Sequence, residues 1–286
     1  MDRREAVTRL FREDRLQAYD FDRSPELIRL AGQSKVTPPT QDLSEWKKIQ
    51  RNLMARAGDQ STPFNSEAHI EGHRQAMDGL FEQYELLQDR VLDIGGGRGL
   101  YRQWWEPGES GLFVVHDPGV ERFDHADSPL HRKHYPRAFS LSMTFVEGFG
   151  EDLPYTDESF DTCLIVSALD HCLDPSRVLA EARRCLKGEG RLFLISHCHE
   201  EDHDDDAAPS SDDPAGSRLG RIARLPRSLA KAIYRSFVPR PRMHLHHWDQ
   251  DELSALVEAS DFEVGRCSRI PFQAKLVHTL EARKRG

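Results

Sequence analysis

No run of roughly 18 apolar residues occurs anywhere in the chain, so no membrane-spanning helix is expected. The first residues, MDRREAVTRLFRED, are charged and lack an apolar core, which argues against an export signal. Cysteine is scarce. The five cysteines (Cys163, Cys172, Cys185, Cys198 and Cys267) are odd in number, scattered and without a Cys-x-x-Cys pair. They read as reduced thiols in a cytoplasmic protein. Internal repeats are missing too. Positive charge is in deficit, with a net charge of −9, which speaks against the whole chain acting as a nucleic-acid binder.

What is present is a soluble globular composition, 38% hydrophobic and 30% charged over 286 residues. That length supports one sizeable core with additions. Three textures follow one another. Residues 1–88 read as mostly helical, broken at Val36-Thr-Pro-Pro-Thr40 and Ser61-Thr-Pro63. Within them the spacing of Ile70, Met77, Leu80, Phe81, Tyr84 and Leu87 predicts an amphipathic helix over Glu67–Leu87.

From residue 89 the texture becomes α/β. Short apolar strands are predicted at 90–94, 111–115, 144–147, 160–166 and 191–196, alternating with helical segments, the pattern of a parallel sheet covered on both faces. Asp174 and Pro175 open a helix whose buried face is Leu179, Ala182 and Leu186, with Lys187 and Gly188 expected to close it. After an insertion at 198–243, Asp249 and Glu252 resemble a capping box, and two final strands are predicted at 262–266 and 275–283. The insertion is acidic from Glu200 to Asp213. Its second half, 217–243, is basic and free of acid, with Arg218, Arg221, Arg224, Arg227, Lys231 and Arg235 among apolar residues. Three readings of that half stay open: a lid, a surface helix drawn to anionic lipid, or a solvated arm.

The chemistry concentrates at Asp93-Ile-Gly-Gly-Gly-Arg-Gly99. A strand tip running into glycines is where an open parallel sheet accepts a ligand, because the backbone can turn sharply and approach closely there. A dinucleotide fingerprint requires Gly-x-Gly-x-x-Gly; Gly95 and Gly97 fit, but the last position is Leu100. No Gly-Lys-Ser/Thr follows, which excludes a phosphate loop. Asp93 would repel a pyrophosphate but suits a ligand bearing an ammonium and a sulfonium, as S-adenosyl-L-methionine (SAM) does. Asp117 ends the second strand, where a carboxylate can accept both ribose hydroxyls.

At this point the sequence resembles the class I SAM-dependent methyltransferases of the small-molecule type. The resemblance covers residues 89–197 and 244–283. It rests on Val91–Gly99, Asp117, Gly148-Phe-Gly-Glu-Asp-Leu-Pro154 with Glu158-Ser-Phe-Asp161, Leu169–Pro175, Val178–Leu186 and His247-Trp248 through Phe262. It implies a Rossmann-like seven-stranded sheet with the last strand antiparallel and an N-terminal helical cap over 1–88, while the place of 198–243 between the fifth strand and the next helix favours the lid reading. It implies that Asp93 and the loop Gly95, Gly96, Gly97 and Gly99 flank the methionine end of SAM. Phe149, Gly150 and Glu151 would lie along the adenine and Ser167 would line the pocket, with S-adenosyl-L-homocysteine (SAH) as the product. The family usually has an acid where Phe149 stands, so Phe149 is expected to stack on the ring or Glu151 to take the amino group.

His171, just beyond the fourth strand, is the best-placed general base, with Asp170 to orient it. His244, His246 and His247 fall near the same edge. His197, Cys198, His199 and His203 lie among acids, but their spacing matches no closed metal site, and no metal is expected. Trp104 and Trp105 read as core. His73 or Arg74 is a candidate for the cofactor carboxylate. The expected partner is a small or medium-sized acceptor methylated at oxygen, nitrogen or carbon. Rival readings are a SAM-binding regulatory protein without turnover, and methylation of a lipid-linked or nucleic-acid acceptor through the basic segment.

Overall fold

The computed structural model describes residues 3–21, 27–31, 46, 66–83, 87–119, 129–197, 244–272 and 275–285. The insertion at 198–243, and with it Cys198, His199 and His203, lies outside the described residues, as does most of 32–65.

In chain order the helices are α1 (Arg3–Thr8), α2 (Glu67–Gln83), α3 (Pro129–His134), α4 (Pro136–Ser140), α5 (Pro175–Cys185) and α6 (Gln250–Ala259). The strands are β1 (Tyr19–Asp20), β2 (Leu27–Leu30), β3 (Leu87–Gln88), β4 (Arg90–Ile94), β5 (Trp105–Glu106), β6 (Leu112–Asp117), β7 (Thr144–Glu147), β8 (Phe160–Val166), β9 (Leu186–His197), β10 (Phe262–Phe272) and β11 (Lys275–Lys284). Nine of the described strands form one sheet in the order β1-β2-β7-β6-β4-β8-β9-β11-β10, and β3 and β5 pair separately.

Residue alternation explains the layers. Along β6, Leu112 and Val114 enter one hydrophobic cluster while Phe113 and Val115 enter the other. Along β8, Cys163 and Ile165 oppose Leu164 and Val166 in the same way. These central strands are apolar on both faces because helices cover both faces. Val7 of α1, Leu179 of α5 and Val257 of α6 pack on one side. Met77 and Phe81 of α2, Tyr135 and Ala138 of α4 pack on the other.

The seven strands expected from the sequence are all present, and the last of them, β11, runs antiparallel to β9 and β10. The strand count is nine, because residues 1–88 are not purely helical. Leu27 and Ile28 pair in parallel with Phe145 and Val146, and β1 adds an antiparallel edge at Tyr19↔Leu30. Strands of two and four residues are too short to display an alternation that a sequence window can detect.

Three local expectations change. The helix at 67 ends at Gln83, and Leu87–Gln88 is strand. After the glycine loop the chain forms only a short 3-10 turn, Leu100–Trp104, before Trp105 becomes extended. The helix opened by Asp174, whose side chain accepts from the Arg177 N–H at 3.1 Å, stops at Cys185. Leu186 is already extended, so Lys187 and Gly188 belong to the start of β9, where the register against β8 shifts between Phe160 and Thr162. The capping box is present: Asp249 and Glu252 exchange side-chain to backbone hydrogen bonds of 2.8 and 3.0 Å. Among the described residues no helix is long and apolar enough to cross a membrane.

Candidate functional site

The strand order reverses at β4: the chain moves outward through β6 and β7, then returns to β8 on the other side of β4. Such a switch point opens a crevice at the C-terminal strand ends. Here Gly95 follows β4, Asp117 ends β6, Phe149, Gly150 and Glu151 follow β7, and Ser167 with His171 follow β8; all of them line one pocket. Its wall is completed by Trp46, which the sequence did not single out. The Trp46 ring lies 5.0 Å from the Phe149 ring at 53°, and its indole N–H donates to the His171 carbonyl at 3.1 Å.

The loop Gly95–Gly99 earns its glycines individually. Gly95, Gly97 and Gly99 have φ of 71°, 52° and 62°, the left-handed region that L side chains avoid. At Gly96 the reason is space: a Cβ there would overlap the Asp93 carboxylate. Asp117 pins the loop, accepting from the Gly97 N–H at 3.0 Å and the Gly119 N–H at 2.7 Å.

Asp93 itself is fully buried, and neither carboxylate oxygen has a hydrogen-bond partner. Burial, then the nearby Asp117 charge, push its acid well above the usual carboxylate range, against a smaller lowering by Arg102. A buried unpaired carboxylate is costly unless a cation joins it. Asp93 does not line the pocket that gathers the other residues; it lies beneath the glycine loop at the tip of β4.

Two carboxylates are already in use. Glu151 Oε1 accepts from the Leu173 and Asp174 N–H groups at 2.7 and 3.2 Å, tying the post-β7 loop to the start of α5. Asp170, 3% exposed, meets His244 Nδ1 at 2.5 Å through Oδ2, with His171 Nε2 3.9 Å from Oδ1. The His171 and His244 rings stack at 4.6 Å and 24°. His246 instead bonds the Cys172 carbonyl at 2.9 Å and stacks on Trp248, and the His247 ring lies 5.9 Å from that of His244. Ser167 is held at φ 49°, an uncommon conformation for a non-glycine residue, at the pocket wall.

His116 was missed by sequence reasoning because it looks like one more strand residue. It is fully buried, its Nε2 meets the Phe149 carbonyl at 3.2 Å and its Nδ1 the Tyr155 hydroxyl at 3.1 Å. A neutral ring donates from Nε2 and accepts at Nδ1, so His116 positions the pocket loop. Trp104 and Trp105 are core, as expected, 7% and 3% exposed. His73 and Arg74 do not line the pocket: His73 meets the Tyr135 and Tyr101 hydroxyls and Arg74 pairs with Asp78.

Burial pushes His73 and His116 down to about 4. Both stay neutral when folded but protonate near 6.5 when unfolded. The stability this confers is complete above about pH 6.5 and is lost as pH falls toward 4. For two such groups the unfolding free energy should fall by up to about 3 kcal/mol per pH unit near pH 5. Chemical denaturation from pH 7 to 4.5 measures this, and His116→Gln should flatten the slope.

A family model for a methyltransferase domain matches residues 92–194, which span the pocket from β4 to β9. The chain is 32% identical over 115 residues to an uncharacterized methyltransferase, YcgJ, of Bacillus subtilis, covering 40% of this chain and 43% of that one. It is 24% identical over 159 residues to a ubiquinone/menaquinone biosynthesis C-methyltransferase of Rickettsia prowazekii, covering 54% and 62%. The chain thus spans less than two thirds of the length of these relatives. In fold it resembles the 1,6-didemethyltoxoflavin-N1-methyltransferase of Burkholderia thailandensis, with a TM-score of 0.52 at 17% identity over 88% of this chain and 94% of that one. Residues 92–194 are thus similar to a methyltransferase domain.

Proposed function

We propose that the chain transfers the methyl group of SAM to a small acceptor, with SAM held along the C-terminal ends of β4, β6, β7 and β8. The observation that carries this reading is Asp93: a fully buried carboxylate with no hydrogen-bond partner, beneath a loop where a Cβ at Gly96 would fall on that carboxylate. An acid so placed suits the ammonium of the methionine end. Asp117 is the ribose acid, and the Trp46–Phe149 aromatic pair with Gly150 forms the adenine wall. Phe149 thus replaces the usual acid by a ring surface, while Glu151 organises the wall through the backbone of 173–174. Ser167 lines the floor.

When bound, SAM supplies an electrophilic methyl on a sulfonium; the protein aligns the acceptor and removes its proton where needed. His171, at the pocket edge, is the base, and Asp170 holds the histidine pair. Trp46 and the 198–243 segment serve as the cover, and the protein works in the cytoplasm. The relative active on toxoflavin precursors supports a small heteroaromatic or phenolic acceptor.

Incubation of the full chain with methyl-labelled SAM and panels of phenols, hydroquinones and amines tests the reading. His171→Ala should lower turnover roughly 10²–10⁴-fold, the usual reach of general acid–base catalysis, with SAH affinity retained. Turnover by the variant at the wild-type rate would remove His171 from the mechanism. SAH binding without turnover on any panel would favour a regulatory SAM-binding protein.

A further inference from the structure

Asp170, His171 and His244 lie 74 residues apart at their extremes, yet the fold brings one ligand atom from each within 4.8 Å of the others. Asp170 and His171 ride the 3-10 turn after β8, Leu169–His171, and His244 precedes α6. We propose that these three side chains form a binding site for a divalent transition-metal ion at the acceptor edge of the pocket.

The donor set is two imidazoles and one carboxylate, the combination that suits zinc, iron or manganese and leaves coordination positions open. Metal–nitrogen bonds of about 2.1 Å place two cis imidazoles on one ion with ring centroids about 4.5–5 Å apart. The observed separation of His171 and His244 is 4.6 Å. A proton relay needs one imidazole on Asp170; here two imidazoles each bring a ligand atom to the same carboxylate.

The ligands are also held from behind, as preorganised metal ligands are. The Asp170 carbonyl accepts from the Leu245 and His246 N–H groups at 2.8 and 3.1 Å, locking the turn after β8 to the segment before α6. His246 closes the same joint through the Cys172 carbonyl, and Trp46 holds the His171 carbonyl. The His171 and His244 side chains are 14% and 18% exposed, and His171 lines the pocket, so the open face points where an acceptor would enter. Ion binding requires His244 to surrender the proton it shares with Asp170 if Nδ1 is the ligand, which makes affinity rise with pH. An acceptor hydroxyl on an open position would have its pKa lowered by the ion, His171 then acting as ligand. That last consequence rests on the methyl-transfer reading; metal binding does not.

The test uses the untagged full chain, stripped with chelator and titrated calorimetrically with Zn²⁺ in the absence of SAM. One equivalent should bind, and Asp170→Asn or His244→Ala should weaken it roughly 100-fold or more, as ligand loss must exceed outer-shell effects of 10–100-fold. The double variant His199→Ala/His203→Ala should retain the equivalent. Because a variant can fail to fold, circular dichroism accompanies each titration, and the visible spectrum of the wild-type Co²⁺ form is recorded. Ligand-field bands without a thiolate charge-transfer band support the site. A thiolate band, no stoichiometric Zn²⁺, or Zn²⁺ retained by folded Asp170→Asn and lost by the His199/His203 variant would overturn it.

Discussion

Asp93→Asn should weaken cofactor binding roughly 100-fold or more and, at the same time, make the protein without cofactor more stable. The two halves have one cause. In the folded chain the carboxylate is fully buried without a hydrogen-bond partner, beside the like charge of Asp117. Its acid is raised, so the folded state binds a proton more readily than the unfolded one. That costs stability in full above the raised value, and the cost fades as pH falls toward the unfolded value near 4. The near-isosteric amide removes the charge without opening a cavity. The amide is still a buried polar group but carries no charge to desolvate, so we expect a gain that is largest at neutral to alkaline pH and vanishes near pH 4. Removing one member of a buried ion pair costs about 3–5 kcal/mol, so SAH affinity should fall by roughly 10²–10⁴-fold. Thermal melting with and without SAH reads both effects. A variant that is less stable and binds SAH normally would mean that Asp93 serves packing alone.

Gly95→Ala should cost about 2–5 kcal/mol of stability and impair SAH binding. Two penalties combine. At φ 71° the left-handed conformation costs an L residue about 1–2 kcal/mol. The added Cβ also falls on Ala168 Cβ, which the turn after β8 fixes and which has no rotamer to escape into; overpacking of this kind adds about 1–3 kcal/mol. Relief requires moving the β4 or β8 strand end, which are opposite walls of the pocket. Gly72→Ala in α2 is the control: nothing lies within 4 Å of its added Cβ, and alanine is the better helix former by about 1 kcal/mol. Urea denaturation should separate the two variants in opposite directions. Equal stabilities would show that the loop tolerates another conformation.

The sheet was legible from the sequence because its central strands are short, doubly buried and bounded by turns. Val91–Ile94, Thr144–Glu147 and Phe160–Val166 declare themselves by apolar content alone. The glycine loop was legible for a different reason: Gly95, Gly96 and Gly97 follow directly on an apolar strand. The β1 and β2 strands were not legible, since four residues at an edge carry no period. Trp46 was hidden because a lone tryptophan in a polar stretch has no pattern. His116 was hidden because its role depends on what β6 passes at its tip, the Phe149 carbonyl and the Tyr155 hydroxyl, each remote in sequence. The Asp170, His171 and His244 group was half legible. His171 and Asp170 were chosen from their place after β8, and His244 was placed near the same edge, but nothing in the sequence set it apart from His246 and His247.

Calorimetric titration of the full-length protein with SAH tests the central claim most directly. A pocket lined by Gly95, Asp117 and the Trp46–Phe149 wall, with Asp93 beneath the glycine loop, predicts saturable 1:1 binding at roughly micromolar Kd, about 8 kcal/mol, weakened roughly 100-fold or more in Asp93→Asn. Absence of heat and of any thermal shift with SAH at roughly millimolar concentration, where even about 4 kcal/mol of binding would register, would contradict it.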